Sequence, residues 1–228
     1  MSEKKLGVSV FIALLFHVSG LIGILFTPYK DWFIQHTPIN LLIMAGLLIW
    51  NQSKPNKAFI IFIIVCCLTG MIAEMIGVQT GLLFGDYTYG TVMGPKVYGV
   101  PLLIGVNWFV LVFCCMIIME RLHDKVKQKY LESDLGGPSE KLERLSIIVD
   151  GALLATIFDW IMEPVAVKLE FWRWEGTAIP VYNYICWFII SCFLITVSRK
   201  LLFSKSNDFA VHLLIIQSLF FLTLRIFL

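Results

Sequence analysis

Charge is scarce in this 228-residue sequence: 15% of residues are Asp, Glu, Lys or Arg, against 58% apolar. An ordinary globular domain carries about 25% charged residues. That shortage, with a mean hydropathy of +0.83, excludes a soluble globular protein and points to a chain solvated by lipid. Histidine is equally thin. His17, His36, His123 and His212 are scattered along the chain, which excludes a membrane di-iron hydroxylase or desaturase, whose metals need clustered histidines. His17 and His212 fall within apolar runs and read as hydrogen-bonded packing residues rather than proton relays. The six cysteines (Cys66, Cys67, Cys114, Cys115, Cys186 and Cys192) also sit inside apolar runs, without metal-type spacing. They read as small apolar residues, so neither a disulfide nor a metal site is expected. The last apolar run has Arg225 but no lysine, which removes a retinal-type reading. No glycine-rich nucleotide loop follows a strand, nothing suggests a redox cofactor, and no cofactor is expected.

What is there in quantity is long apolar runs. A helix needs roughly 17–25 residues to cross about 30 Å of hydrocarbon, and about seven runs qualify, near residues 7–26, 33–50, 58–77, 100–119, 145–167, 181–198 and 209–227. The second is diluted at its start by His36, Pro38 and Asn40. The first is too long for a signal-peptide core and no small-residue cleavage pattern follows it, so it is expected to remain as a helix. The fold class is therefore an all-α integral membrane protein of about seven transmembrane helices, a single polytopic domain over residues 1–228 in the cell membrane.

Thirteen of the 18 Lys and Arg residues lie at the N-terminus and in the second, fourth and sixth loops. Lys30, Lys96, Lys168, Arg173 and Arg225 are on the other side. This bias places the N-terminus in the cytoplasm and the C-terminus outside, and makes the net charge of +2 a matter of topology, with no nucleic-acid partner implied. Residues 120–144, with mixed charges and Gly136-Gly137-Pro138, read as a solvated cytoplasmic linker.

The few acids inside the apolar runs stand out against this background. Asp159 and Glu163 are four residues apart, on one face of a helix. A carboxylate at membrane depth costs several kcal/mol, which is accepted where the group works or is paired. Two carboxyls in a dry site cannot easily both ionise, so one should hold a proton at neutral pH, the condition a general acid requires. Pro164 leaves the carbonyl of Trp160 without a helix donor, a ready acceptor for water. Structural pairing with Arg173 or an Asn is the competing account. Glu74 lies near the outer end of the third run, at the same depth, where a snorkelling role competes. Asp150 reads as a favourable charge at a helix start.

Two loops on the outer side follow these acids. Residues 78–99 hold five glycines with Phe84, Asp86, Tyr87, Tyr89 and Tyr98, and residues 168–180 read KLEFWRWEGTAIP, with Phe171, Trp172 and Trp174 around Arg173. Trp and Tyr also gather at membrane interfaces because their rings suit that depth. Irregular backbone near membrane depth, however, is tolerated chiefly where it lines a cavity or is buried in protein. The two units share a pattern: acid, aromatic loop, then Pro, six residues and Trp. In the first, Pro101 precedes Trp108, with Asn107 beside it. In the second, Pro180 precedes Trp187, with Asn183 one turn earlier. This reads as a parallel helix-pair repeat around one outward-facing cavity.

The strings EMIGVQTGLLFGDYTYG (74–90), YGVPLLIGVNW (98–108), FDWIMEPVAV (158–167) and FWRW (171–174) resemble the carotenoid biosynthesis membrane proteins. That family includes the carotenoid 1,2-hydratases and the bisanhydrobacterioruberin hydratases. The resemblance covers residues 58–198. It departs at GTAIPVYN (176–183), where a second Y-G-V-P-x-x-N stretch is expected. What the resemblance implies is hydration of an acyclic carotenoid end group: protonation at C-2, then capture of the tertiary cation at C-1 by water. On that reading Asp159 is the proton donor, Glu163 and Glu74 orient water, and Tyr87, Tyr89, Trp160, Trp172 and Trp174 form the walls. Asn107, Trp108, Asn183 and Trp187 complete a substrate-binding set. The implied partners are a polyene, water and membrane lipids, with association with other carotenoid enzymes also expected. A lycopene-type cyclase and a proton-coupled carrier are the alternatives.

Overall fold

The computed structural model describes residues 3–132, 139–176 and 178–228. Gly136-Gly137-Pro138 of the expected linker, and Thr177 of the second aromatic loop, lie outside the described residues. Among the described residues the chain forms eight helices and four short strands: α1 (Glu3–Phe26), α2 (Lys30–Gln35), α3 (Thr37–Trp50), α4 (Lys57–Thr80), β1 (Tyr87–Tyr89), β2 (Lys96–Val97), β3 (Val100–Pro101), α5 (Leu103–Glu132), α6 (Glu140–Lys168), β4 (Trp172–Trp174), α7 (Val181–Lys200) and α8 (Asp208–Phe227).

Six of these helices, α1, α4, α5, α6, α7 and α8, are long and apolar enough to cross a membrane. Their outward faces carry large apolar side chains, such as Phe11, Leu68, Ile72 and Ile189, each more than half exposed. Such faces are stable in lipid and not in water, and the chain is a multi-pass membrane protein. α5 is the central helix. It is apolar on every side over residues 108–117, and all ten are buried, as a helix without a polar face requires.

The expected second span is broken. α2 ends and α3 begins around His36, whose φ of −94° and ψ of 2° are not helical. Pro38 explains the break: its ring would clash with the carbonyl of Ile34 in a continuous helix, and it has no N–H to donate. α3 has 14 residues, about 21 Å at 1.5 Å per residue, short of the hydrocarbon thickness. It still returns the chain to the end where α1 starts, because Asn51 donates to Ser9 Oγ at 2.7 Å. At that same end Gln52 donates to the carbonyl of Ser204 at 2.6 Å and Asn56 to that of Leu202 at 2.8 Å. Ion pairs Arg199–Glu120 and Arg121–Asp208 join α5, α7 and α8 there.

The segment 120–144 is mostly helix rather than loop. Its Arg, Lys, Gln, Leu and Glu residues are strong helix formers, so α5 continues to Glu132, and α6 starts at Glu140, capped by Ser139 Oγ accepting from the Leu142 amide. Asp150 is consequently ten residues inside α6, where Ser146 donates to it at 2.7 Å, and not at a helix start. The opposite end of the molecule adds two short ribbons to the all-α architecture. β1 and β4 pair antiparallel with Tyr87 opposite Trp174 and Tyr89 opposite Trp172, and β2 pairs with β3.

Candidate active site

Helical periodicity assembles the first half of the site. Residues four apart on α6 share a face, so Asp159 and Glu163 point together into the bundle, at 1% and 2% exposure. Glu74 reaches the same place from α4, at 4% exposure. Strand periodicity assembles the second half. Side chains alternate between the two faces of a strand, so in Y-T-Y and W-R-W the four aromatics face one way while Thr88 and Arg173 face out. The sheet becomes an aromatic cover over the three acids. Gly90, just after β1, permits this closeness: a Cβ there would lie 2.0 Å from the carbonyl oxygen of Glu170. The Gly90 amide instead donates to the carbonyl of Phe171 at 2.8 Å.

The hydrogen bonds between cover and acids are specific. Tyr87 Oη donates to Glu74 Oε2 in a short bond, and Tyr89 Oη donates to the same oxygen at 2.8 Å. Trp108 Nε1 donates to Glu74 Oε1 at 3.0 Å. Both oxygens of Glu74 are thus engaged by three donors. Glu163 Oε2 accepts from Trp172 Nε1 at 2.8 Å and from Trp174 Nε1 at 3.3 Å. Asn183 Nδ2 donates to Asp159 Oδ2 at 2.9 Å and lies 3.5 Å from Glu163 Oε1. One carboxyl oxygen of the six is left: Asp159 Oδ1 is buried with no hydrogen-bond partner among the described residues. Burial, and then the negative charge of Glu74, push the Tyr87 and Tyr89 phenols well above the ordinary tyrosine range, so they remain proton donors.

A cavity of about 20 Å³ lies among these groups, the room one water needs. Its wall includes all three acids, Tyr87, Tyr89, Trp172, Trp174, Asn107, Asn183 and Trp187. Trp108 stacks on Trp187 with centroids 3.8 Å apart and planes at 11°. The two Pro-x6-Trp segments therefore meet, which fixes the starts of α5 and α7 against each other. Gly70 makes room for this, since a Cβ there would lie 2.4 Å from the Trp108 ring.

Of the residues assigned to the acids and their surroundings, Trp160 alone lies away from the site. It follows Asp159 by one position, about 100° round the helix, and is half exposed on the outer face of α6. There Arg225 lies over its ring at 4.1 Å and donates to its carbonyl at 2.8 Å. The acceptor freed by Pro164 thus receives Arg225. Arg173 pairs with Glu170 on the surface at 2.8 Å, so it is the Asn, not this Arg, that partners the α6 acids. The sequence reading missed Phe84, Ile104 and Met162 in the cavity wall. Met162 shares the inward face of α6, one turn after Asp159, and was legible by spacing. Phe84 has a positive φ of 64° and carried no local signal.

The sequence has relatives among known proteins. The family described as "Carotenoid biosynthesis protein" matches residues 37–228. A bisanhydrobacterioruberin hydratase from Haloarcula japonica is 30% identical over 122 residues, which is 51% of this chain and 36% of the relative. The chain therefore matches about a third of that relative's length. No solved structure matches.

Proposed function

This chain belongs to the carotenoid biosynthesis protein family, and from that premise we propose that it is a carotenoid hydratase, adding water across the terminal C-1,2 double bond of an acyclic end group. The observation that carries the reading is Asp159 Oδ1, a buried carboxyl oxygen without a partner beside a cavity the size of a water. A protonated Asp159 donates to C-2 of the alkene. The tertiary cation left at C-1 is stabilised by the faces of Trp172, Trp174 and Tyr87, each contributing about 0.5–2 kcal/mol where water is excluded. Water held at Glu163 Oε1 and Asn183 attacks C-1 and passes a proton to Glu163. Exchange between the two neighbouring carboxyls then returns the proton to Asp159. The sum is one water consumed and one tertiary alcohol formed, with no change in oxidation state.

Glu74 has a different part. With both oxygens held by Tyr87, Tyr89 and Trp108, it positions the aromatic cover rather than the water. The matching relative, named as a hydratase, supports the same reaction class for this chain. The test is expression in cells that accumulate an acyclic carotenoid, followed by mass spectrometry of the pigments. A gain of one water mass, lost in Asp159→Asn, is the expected result. An isomer of unchanged mass would overturn the reading in favour of ring closure.

A further inference from the structure

An elongated substrate needs a way from lipid to the acids, and most sides of the acid cavity are closed. The β1–β4 sheet covers it above. On the α4–α7 side the Trp108–Trp187 stack seals it, with the Phe84 amide on Cys186 Sγ at 3.4 Å and Tyr182 Oη on the carbonyl of Leu82 at 2.9 Å. Toward α1, α3 and α8 the wall is a single layer of side chains. The cavity shares Ile104, Asn107, Met162 and Trp172 with a chamber of about 80 Å³. That chamber in turn shares Ile24, Thr37, Asn40 and Phe220 with a groove of about 310 Å³. The groove runs along α1 at Ser19 and Gly20 and ends at the break between α2 and α3, where Trp32 and His36 stack at 4.0 Å.

We propose that groove, chamber and acid cavity form one lateral passage, through which an acyclic isoprenoid chain enters from the lipid beside the broken α2–α3 segment. The chain then lies along α1 and α8 with its end group at Asp159. This rests on the hydratase reading and adds the binding site for the part of the substrate that does not react. Phe220, Phe221, Leu41 and Met44 supply apolar chamber wall, the contact a methyl-branched polyene chain requires. The Pro38 break supplies the opening. A binding site of this extent leaves only the end group to reach the acids, as the side chains shared by chamber and cavity move aside.

The test uses Gly20→Cys, treated with a bulky maleimide, in purified full-length protein. A side chain at position 20 has Phe220 at 3.4 Å from its Cβ and groove beyond, so labelling plugs the passage without touching the acids. The expected result is at least a tenfold fall in kcat/KM for a long acyclic carotenoid, relative to the same protein untreated. Wild-type protein, with its own six cysteines, and Leu82→Cys, on the exposed far side, keep their rates under the same treatment. Polyene binding is followed in parallel by absorption in Gly20→Cys combined with Asp159→Asn, so a loss of turnover by the cysteine alone does not obscure the outcome. Binding and turnover within twofold after complete labelling, shown by mass, would overturn the passage. A product of unchanged mass from the untreated protein would instead overturn the hydratase reading, so the two failures are distinct.

Discussion

At the scale of single residues, the proposed mechanism assigns proton movement to some groups and the holding of others in place to the rest. Asp159→Asn preserves size but removes the donor, and the expected effect is a fall in kcat of about a hundredfold to ten-thousandfold, read from product mass in a timed assay. Trp172→Phe keeps the aromatic face and deletes one hydrogen bond to Glu163. The expected loss is smaller, about tenfold, since a hydrogen bond to a charged group is worth about 1.5–3 kcal/mol and Trp174 still donates to the same oxygen. The tyrosines give a pH prediction. Both phenols titrate above their ordinary range in the folded protein because they are buried and beside Glu74. A folded-state pKa raised above the unfolded one contributes stability below the unfolded value, about 10 for tyrosine, and loses it as pH rises beyond. Thermal midpoints in detergent should thus be flat in this respect up to about pH 10 and fall above it. Tyr87→Phe combined with Tyr89→Phe should flatten that fall, while lowering the midpoint at neutral pH because Glu74 loses two donors.

At the scale of elements, close approach decides what can be changed. Gly90→Ala would force a methyl against the Glu170 carbonyl and separate β1 from β4. Its expected effect is a loss of activity of more than tenfold with about 1–3 kcal/mol of stability, whereas Arg173→Ala, which breaks an exposed ion pair, should cost about 1 kcal/mol or less. Parallel melting and turnover assays on the two variants check the contrast. The same elements show where sequence was informative. Runs of about twenty apolar residues marked the six full-length helices, and i, i+4 spacing put Asp159 and Glu163 on one face, because both signals repeat over many residues. The pairing of Y-T-Y with W-R-W was hidden, since three residues are too few to establish a period of two and the partners are 83 to 87 positions apart. Trp160 was misplaced by adjacency in sequence, which on a helix means a different face. Arg225 on the Trp160 carbonyl, 65 positions away, leaves no local trace. Pro38 did announce the break in the second run, but a diluted hydrophobic stretch can also be a continuous, partly buried helix, and only its neighbours decide.

At the scale of the whole molecule, the remaining question is which aqueous phase serves the site. The acids lie beneath the strand-bearing loops, at the end opposite the ion pairs Arg199–Glu120 and Arg121–Asp208. Lys and Arg concentrate at the ion-paired end, with 13 of 18 by sequence, and such a bias retains that end in the cytoplasm during insertion. The cavity would then draw its water and exchange its protons through the outer loops. A membrane-impermeant maleimide added to intact cells should therefore label Gly94→Cys, in the loop after β1, and leave Lys54→Cys unlabelled until the cells are opened. The reverse pattern would turn the site toward the cytoplasm. Because Gly94 has open space around the position of a Cβ and Lys54 is exposed, accessibility at these two positions reports the side of the membrane rather than burial. An outward site also predicts that product formation in intact cells follows the pH of the medium, since the acids of the site exchange protons with that phase between turnovers.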